Sequence, residues 1–149
     1  MPPELWRCEA CDRTFANRNQ SHFCGSIVSL DAHFARRPPA IRELFDAFAG
    51  AVSACGPVEI LAEKTRIAFH VRMSFAAVMP RRDHLAGHFI FASRVESPRF
   101  TKIETYSPRN HLHAFRLISR EEIDDQFRGW IRDAYAVGEQ RHLTDRADA

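Results

Sequence analysis

Between Val58 and Ile118 the chain breaks into six short segments, VEIL, TRIAFHV, SFAAVM, LAGHFIFA, TKIETY and HLHAFRLI. All are rich in β-branched and aromatic residues and are punctuated by Pro, Gly, Ser or charged clusters. The gaps between them are too short for the crossover helices that parallel strands need, so the segments read as antiparallel neighbours. Alternation assigns faces. Ile67, Phe69 and Val71 fall on one side of their strand, and Arg66, His70 and Arg72 on the other. In the last segment Leu112, Ala114, Arg116 and Ile118 oppose His111, His113, Phe115 and Leu117.

Helical periodicity brackets this region. Ile41, Leu44, Phe45, Phe48 and Val52 form the stripe of a helix resting on a core. The Pro pair of RRPPAIREL suits its first turn, and CGP at 55–57 ends it. Ser29 to Arg36 has room for one or two helical turns. SREE places Ser119 and Glu122 in a capping box that opens a closing helix, with Ile123, Phe127, Trp130, Ile131 and Ala134 on one face. The polar tail after Val137 is expected to fray. The expected fold is α+β: a small N-terminal Cys/His knob, a helix, an antiparallel sheet of five or six strands and a closing C-terminal helix. The expected division is residues 1–36 for the knob and 37–149 for the α+β domain.

The 149 residues, 45% hydrophobic and with twelve Phe, are enough for a globular core without a stabilising metal or disulfide. No apolar run approaches the ~18–20 residues of a membrane span. MPPELWRC has no secretory character, so a reducing cytoplasm is expected and disulfides are disfavoured.

The stretch WRCEACDRTFANRNQSHFC therefore points to a metal. Cys8 and Cys11 have the C-x-x-C spacing of a tight turn aiming two thiolates at one ion. His22 and Cys24, two apart, project to the same side of an extended segment. Three thiolates and an imidazole form a Cys3His tetrahedral set, soft enough to favour zinc over Mg²⁺ or Ca²⁺. Four protein ligands leave no open position, so the expected zinc is structural, with Trp6 and Phe15 as a miniature core. His33 is an alternative to Cys24 as fourth ligand. A redox role for C-x-x-C lacks the preceding strand of a thioredoxin-like unit. Cys55 reads as a core thiol.

Charge is unevenly spread. Net charge is +2 overall, but residues 61–120 carry +7 and residues 121–149 carry −4. Such a basic middle suits an anionic partner, nucleic acid before a small phosphorylated ligand. The candidate anion-binding residues are Lys64, Arg66, His70, Arg72, Arg109, His111, His113 and Arg116, with Phe75, Phe100 or Tyr106 as nearby aromatics. A competing reading pairs these arginines with Glu121, Glu122, Asp124 and Asp125 of the acidic helix. Two further readings are an enzyme with a His/Arg pocket at 109–116 and a protein–protein adaptor docking through the knob. H-x-H at His111 and His113, joined by His84 or His88, would make a catalytic metal site. No phosphate-loop, dinucleotide or serine-hydrolase motif is present.

The Cys/His stretch together with KTRIAFHVRMSFA, PRRDHLAGH, SPRNHLHAFRL and AYAVGEQRHL resembles the bacterial family known as domain of unknown function 5655, over nearly the whole chain. Asp12 stands where similar members commonly carry Gly in C-x-x-C-G-R, a change that alters the turn but removes no ligand. The resemblance implies a soluble bacterial protein with a metal-binding front and supplies no activity to carry over.

Overall fold

The computed structural model describes residues 5–7, 14–15 and 29–140. It is an α+β fold in which two helices cover one face of a six-stranded antiparallel sheet. A two-residue pair, β1 (Trp6–Arg7) with β2 (Thr14–Phe15), is antiparallel, with Trp6 opposite Phe15. The four expected zinc ligands Cys8, Cys11, His22 and Cys24 lie outside the described residues.

A single 3-10 turn at Leu30–His33 leads into Phe34, which belongs to the main core. Helix α1 (Pro39–Ser53) buries Ile41, Leu44, Phe45, Phe48 and Val52, the stripe its periodicity demands. Its exit turns at Gly56, whose φ of +149° is open to glycine and strained for other residues. Tyr135 fills the space a side chain would need there and donates its hydroxyl to the Pro57 carbonyl at 2.8 Å.

The sheet comprises β3 (Glu59–Ala62), β4 (Ile67–His70), β5 (Ser74–Pro80), β6 (Leu85–Phe91), β7 (Phe100–Ser107) and β8 (Asn110–Leu117). The spatial order is β3-β4-β5-β6-β8-β7, every pair antiparallel. The first four strands form a meander. The connection at 92–99 then carries the chain past the place of β8 to the sheet edge, and β8 returns between β6 and β7.

Helix α2 (Asp125–Gly138) begins later than the sequence suggests. The carboxylate of Glu122 does accept the Ser119 backbone N–H at 3.0 Å, but this box closes only a 3-10 turn at Arg120–Glu122. Asp124 is the true cap, accepting the Phe127 N–H at 2.9 Å. At the other end, the Gly138 carbonyl accepts the backbone N–H groups of Arg72 and Met73, so the β4–β5 turn satisfies an orphan group of the helix.

The core centres on Phe48, fully buried, whose ring meets Phe69, Phe89, Phe115 and Phe127 at centroid distances of 5.2 to 6.2 Å. Both helices therefore rest on the face presenting Phe69, Phe89 and Phe115. Among the described residues no helix is long and apolar enough to cross a membrane.

Candidate functional site

Strand register sorts the candidates that lie within strands onto two faces. On the helix-covered face Phe69, Ala76, Phe89, His113 and Ile103 stand in one cross-strand row. One residue over, Leu61, Ala68, Ala77, His88, Ala114 and Lys102 form the row of the opposite face. That outer face is the one neither α1 nor α2 covers.

His111 and His113 thus point into the core with Phe115 and Leu117. His113 is fully buried, and its Nδ1 lies 2.9 Å from the His111 carbonyl while the Val95 N–H reaches its Nε2 at 2.9 Å. A carbonyl only accepts and an N–H only donates, so the ring carries its proton on Nδ1 and has no lone pair to spare. Burial lowers its basicity further. In His111, Nε2 donates to the Pro108 carbonyl at 3.1 Å and Nδ1 lies 2.9 Å from the Thr105 hydroxyl. His111 thus braces the β7–β8 hairpin, and His113 ties the 92–99 connection to β8. His88, one candidate third ligand for a catalytic metal, sits back to back with them across the sheet. Among the described residues no three His, Cys, Asp or Glu side chains form a metal-holding group.

Of two more candidates, one is buried and the other is held at the end of α2. His70 is buried, 2% exposed, and its Nδ1 lies 3.1 Å from the Ser74 hydroxyl. Arg72 turns to the C-terminus of α2, where its Nε donates to Gln140 Oε1 at 2.9 Å. Arg109 occupies the β7–β8 turn and Lys64 the exposed β3–β4 turn. Of the predicted residues, the register places Arg116 on the outer face opposite Ala86, and alternation from Ala68 puts Arg66, just before β4, on the same side.

The outer face adds residues that the sequence reading did not select as anion ligands. His88 lies near its centre, half-buried between Ala77 and Ala114 in the cross-strand row. Burial, with the positive charge of Arg66 as a second cause and Glu104 opposing, lowers its pKa to about 4, so it is neutral at pH 7. On β7, Lys102, Glu104 and Tyr106 follow at every second position. Lys102 pairs with Glu104 at 2.6 Å, and the Tyr106 hydroxyl donates to Glu104 at 2.9 Å. Those two contacts, Lys102 first, hold the Glu104 carboxyl below its usual range. Arg66 is held by Glu63 at 2.9 Å. The exposed Arg116 makes no ion pair among the described residues, although Asp83 feels its charge. The period-2 pattern of TKIETY and LAGHFIF carried this signal. What the pattern lacks is the register that brings β6, β8 and β7 side by side.

The acidic helix does not neutralise this face. The arginine that reaches it is Arg99, donating to both Asp124 oxygens at 3.0 and 3.2 Å and to Gln126. Its guanidinium lies 5.5 Å from the Phe127 ring centre and 5.4 Å from that of Trp130. A cleft of about 210 Å³ lies beside it, lined by Arg99, Thr101, Phe115, Leu117, Phe127 and Trp130 among others. The Arg99 guanidinium there is already occupied by protein acceptors.

Residues 30–138 match the family described as domain of unknown function (DUF5655). The chain belongs to that family. The match begins at the 3-10 turn ahead of α1 and ends with α2, so the family unit of this DUF5655 protein is the helix-covered sheet with Phe34 included. The Cys/His stretch lies before it. No curated protein and no solved structure is a significant match.

Proposed function

We propose that this DUF5655 protein is a binding module whose outer sheet face recognises an anionic partner, nucleic acid before a small phosphorylated ligand. The observation that carries the reading is the placement of Arg66, Lys102 and Arg116 around a neutral His88, on the face that the helices leave uncovered. The carboxylates at α2 lie on the far side of the sheet, where Asp124 takes Arg99, so they do not reach Arg66, Lys102 or Arg116. Lys64 extends the basic area from its turn. The histidines His70, His111 and His113 contribute packing and hydrogen bonds to the fold, and Arg72 ties the β4–β5 turn to α2. With both nitrogens of His111 and His113 engaged, an enzyme pocket built on 109–116 loses its acid–base groups. Titration of labelled oligonucleotide and of polyphosphate at 50 mM salt tests the proposal. Binding that weakens at 200 mM salt and falls at least fivefold in Arg116→Glu supports it. Absence of binding to either probe at 50 mM salt overturns it.

The N-terminal stretch would add a structural zinc held by Cys8, Cys11, His22 and Cys24, chemistry that suits a closed tetrahedral site. His33 lies 2.6 Å through Nε2 from the Glu63 carbonyl, to which it donates, leaving Nδ1 as its one lone pair. Elemental analysis of protein purified without chelator should find one zinc per chain, lost in Cys11→Ser. Comparing Cys24→Ser with His33→Gln identifies the fourth ligand.

A further inference from the structure

Charge is only part of what the outer face presents. Tyr106 is 61% exposed there, its hydroxyl tethered to Glu104 and its ring largely in solvent. Arg66 lies close enough for its charge to act on both Tyr106 and His88. In a flat sheet β4 and β7 would stand four strand spacings apart, roughly 19 Å. Sheet twist and two long side chains shorten that separation. The ground they overlook, Ala86, His88, Ile90, Leu112 and Ala114, is half-buried, with the uncharged imidazole as its one polar side chain. At one end of this surface Ile118 is 66% exposed.

These features separate two kinds of polyanion. A duplex is a stiff cylinder that shows a protein phosphates and groove edges. Binding it tightly takes many cations; six to ten phosphate contacts are common. Here the cations are few, and two of them are already paired, Arg66 with Glu63 and Lys102 with Glu104. Glu104, on the same face, would meet the phosphates of any broad, rigid partner. A single strand makes different demands. Its bases are free to leave the backbone and stack on an exposed aromatic ring, while two or three phosphates find cations on either side. The apolar ground beside Tyr106 accepts a base and repels a phosphate.

We infer, resting on the anion-binding reading above, that this face takes single-stranded nucleic acid in preference to duplex, with a base stacked on Tyr106 and the backbone running between Arg66 and Arg116. With about three phosphates neutralised, the salt slope for a single strand is about −2, so affinity falls on the order of tenfold to twentyfold between 50 and 200 mM salt. A duplex-binding face would lose a thousandfold or more over the same range.

The test is fluorescence anisotropy on the full chain with a labelled twelve-nucleotide DNA, its RNA counterpart and the same DNA annealed to its complement, at 50 and 200 mM KCl. The expected result is at least tenfold tighter binding of the single strands. Tyr106→Ala should weaken single-strand binding about fivefold to a hundredfold, and Tyr106→Phe, which keeps the ring and loses the hydroxyl, should stay within about threefold of the parent. Thermal melts of both variants, at so exposed a position, confirm that folding is unchanged. Equal or tighter binding of the duplex, or a Tyr106→Ala variant that binds single strands like the parent, overturns this inference and leaves the anion-binding reading standing. Failure of all three oligonucleotides and of polyphosphate to bind at 50 mM KCl overturns both.

Discussion

At the scale of single residues, three histidines of this sheet show how burial and hydrogen bonding set different roles. His111 and His113 are fixed by acceptors and donors on both ring nitrogens, whereas His88 is neutral because burial and Arg66 disfavour its charge. That difference has a pH signature. The folded-state pKa of His88 is about 4 against 6.5 for the free side chain, so between those values the unfolded chain binds the extra proton. Its contribution to stability is fully present above about pH 6.5 and is lost as pH falls toward 4. The shift corresponds to roughly 3 kcal/mol at most, reduced by solvent screening of a half-buried ring. Urea unfolding of His88→Gln should accordingly lose less stability between pH 6.5 and 4.5 than the parent. Equal losses would show that His88 titrates as a solvated group.

At the scale of elements, the ends of α2 decide how firmly the helix is held to the sheet. Asp124 caps its N-terminus and receives Arg99, and its carboxyl is held below the usual range first by the Phe127 N–H and then by Arg99. Asp124→Ala should cost about 1 kcal/mol in chemical denaturation, most of it from the lost cap. Asp124→Asn, which keeps an acceptor and gives up the charge, should cost less than half of that, because an exposed ion pair adds little. At the C-terminus, Gly138 lies against the ring of Phe75 so closely that an added Cβ would collide with it. Gly→Ala inside a helix ordinarily stabilises by roughly 0.5–1 kcal/mol. Gly138→Ala should instead destabilise by about 1–3 kcal/mol, the cost of overpacking, and the denaturation midpoint reads the sign directly.

At the scale of the whole molecule, the core is self-sufficient. Phe34, the α1 stripe, the inward rows of the sheet and the α2 face form one cluster, and all of it lies within or beside the family unit of residues 30–138. Removing any N-terminal zinc with a chelator should therefore leave the main thermal transition of this cluster in place, with its midpoint moved by a few degrees at most. Collapse of that transition on chelation would mean that the metal supports the sheet. Phe48→Ala, by contrast, removes the ring on which four others converge and should cost about 3–5 kcal/mol, lowering the urea midpoint steeply.

Much of the architecture was legible because its signals are local. The helical spacing of Ile41, Leu44, Phe45, Phe48 and Val52, the Pro pair before them and the six short β-rich segments, several of them alternating, are read from neighbouring residues alone, and each became the element it implied. Ser119 and Glu122 show how far a local signal reaches: the box forms, yet the chain makes one 3-10 turn before α2 starts at Asp125. Alternation also put His111 and His113 on the same side as Phe115, but it left open which side the helices would cover. Leu112, Ala114 and Ile118 make the other side apolar as well, so no residue in that segment alone could decide between them. The decision came from the tertiary arrangement, in which β8 inserts between β6 and β7 and Phe48 seats against Phe89 and Phe115. That packing buried two histidines expected to bind anions and left His88, Lys102, Glu104 and Tyr106 beside Arg66 and Arg116. A strand's two-residue period specifies its faces, and only the neighbours it acquires in three dimensions decide which face meets water.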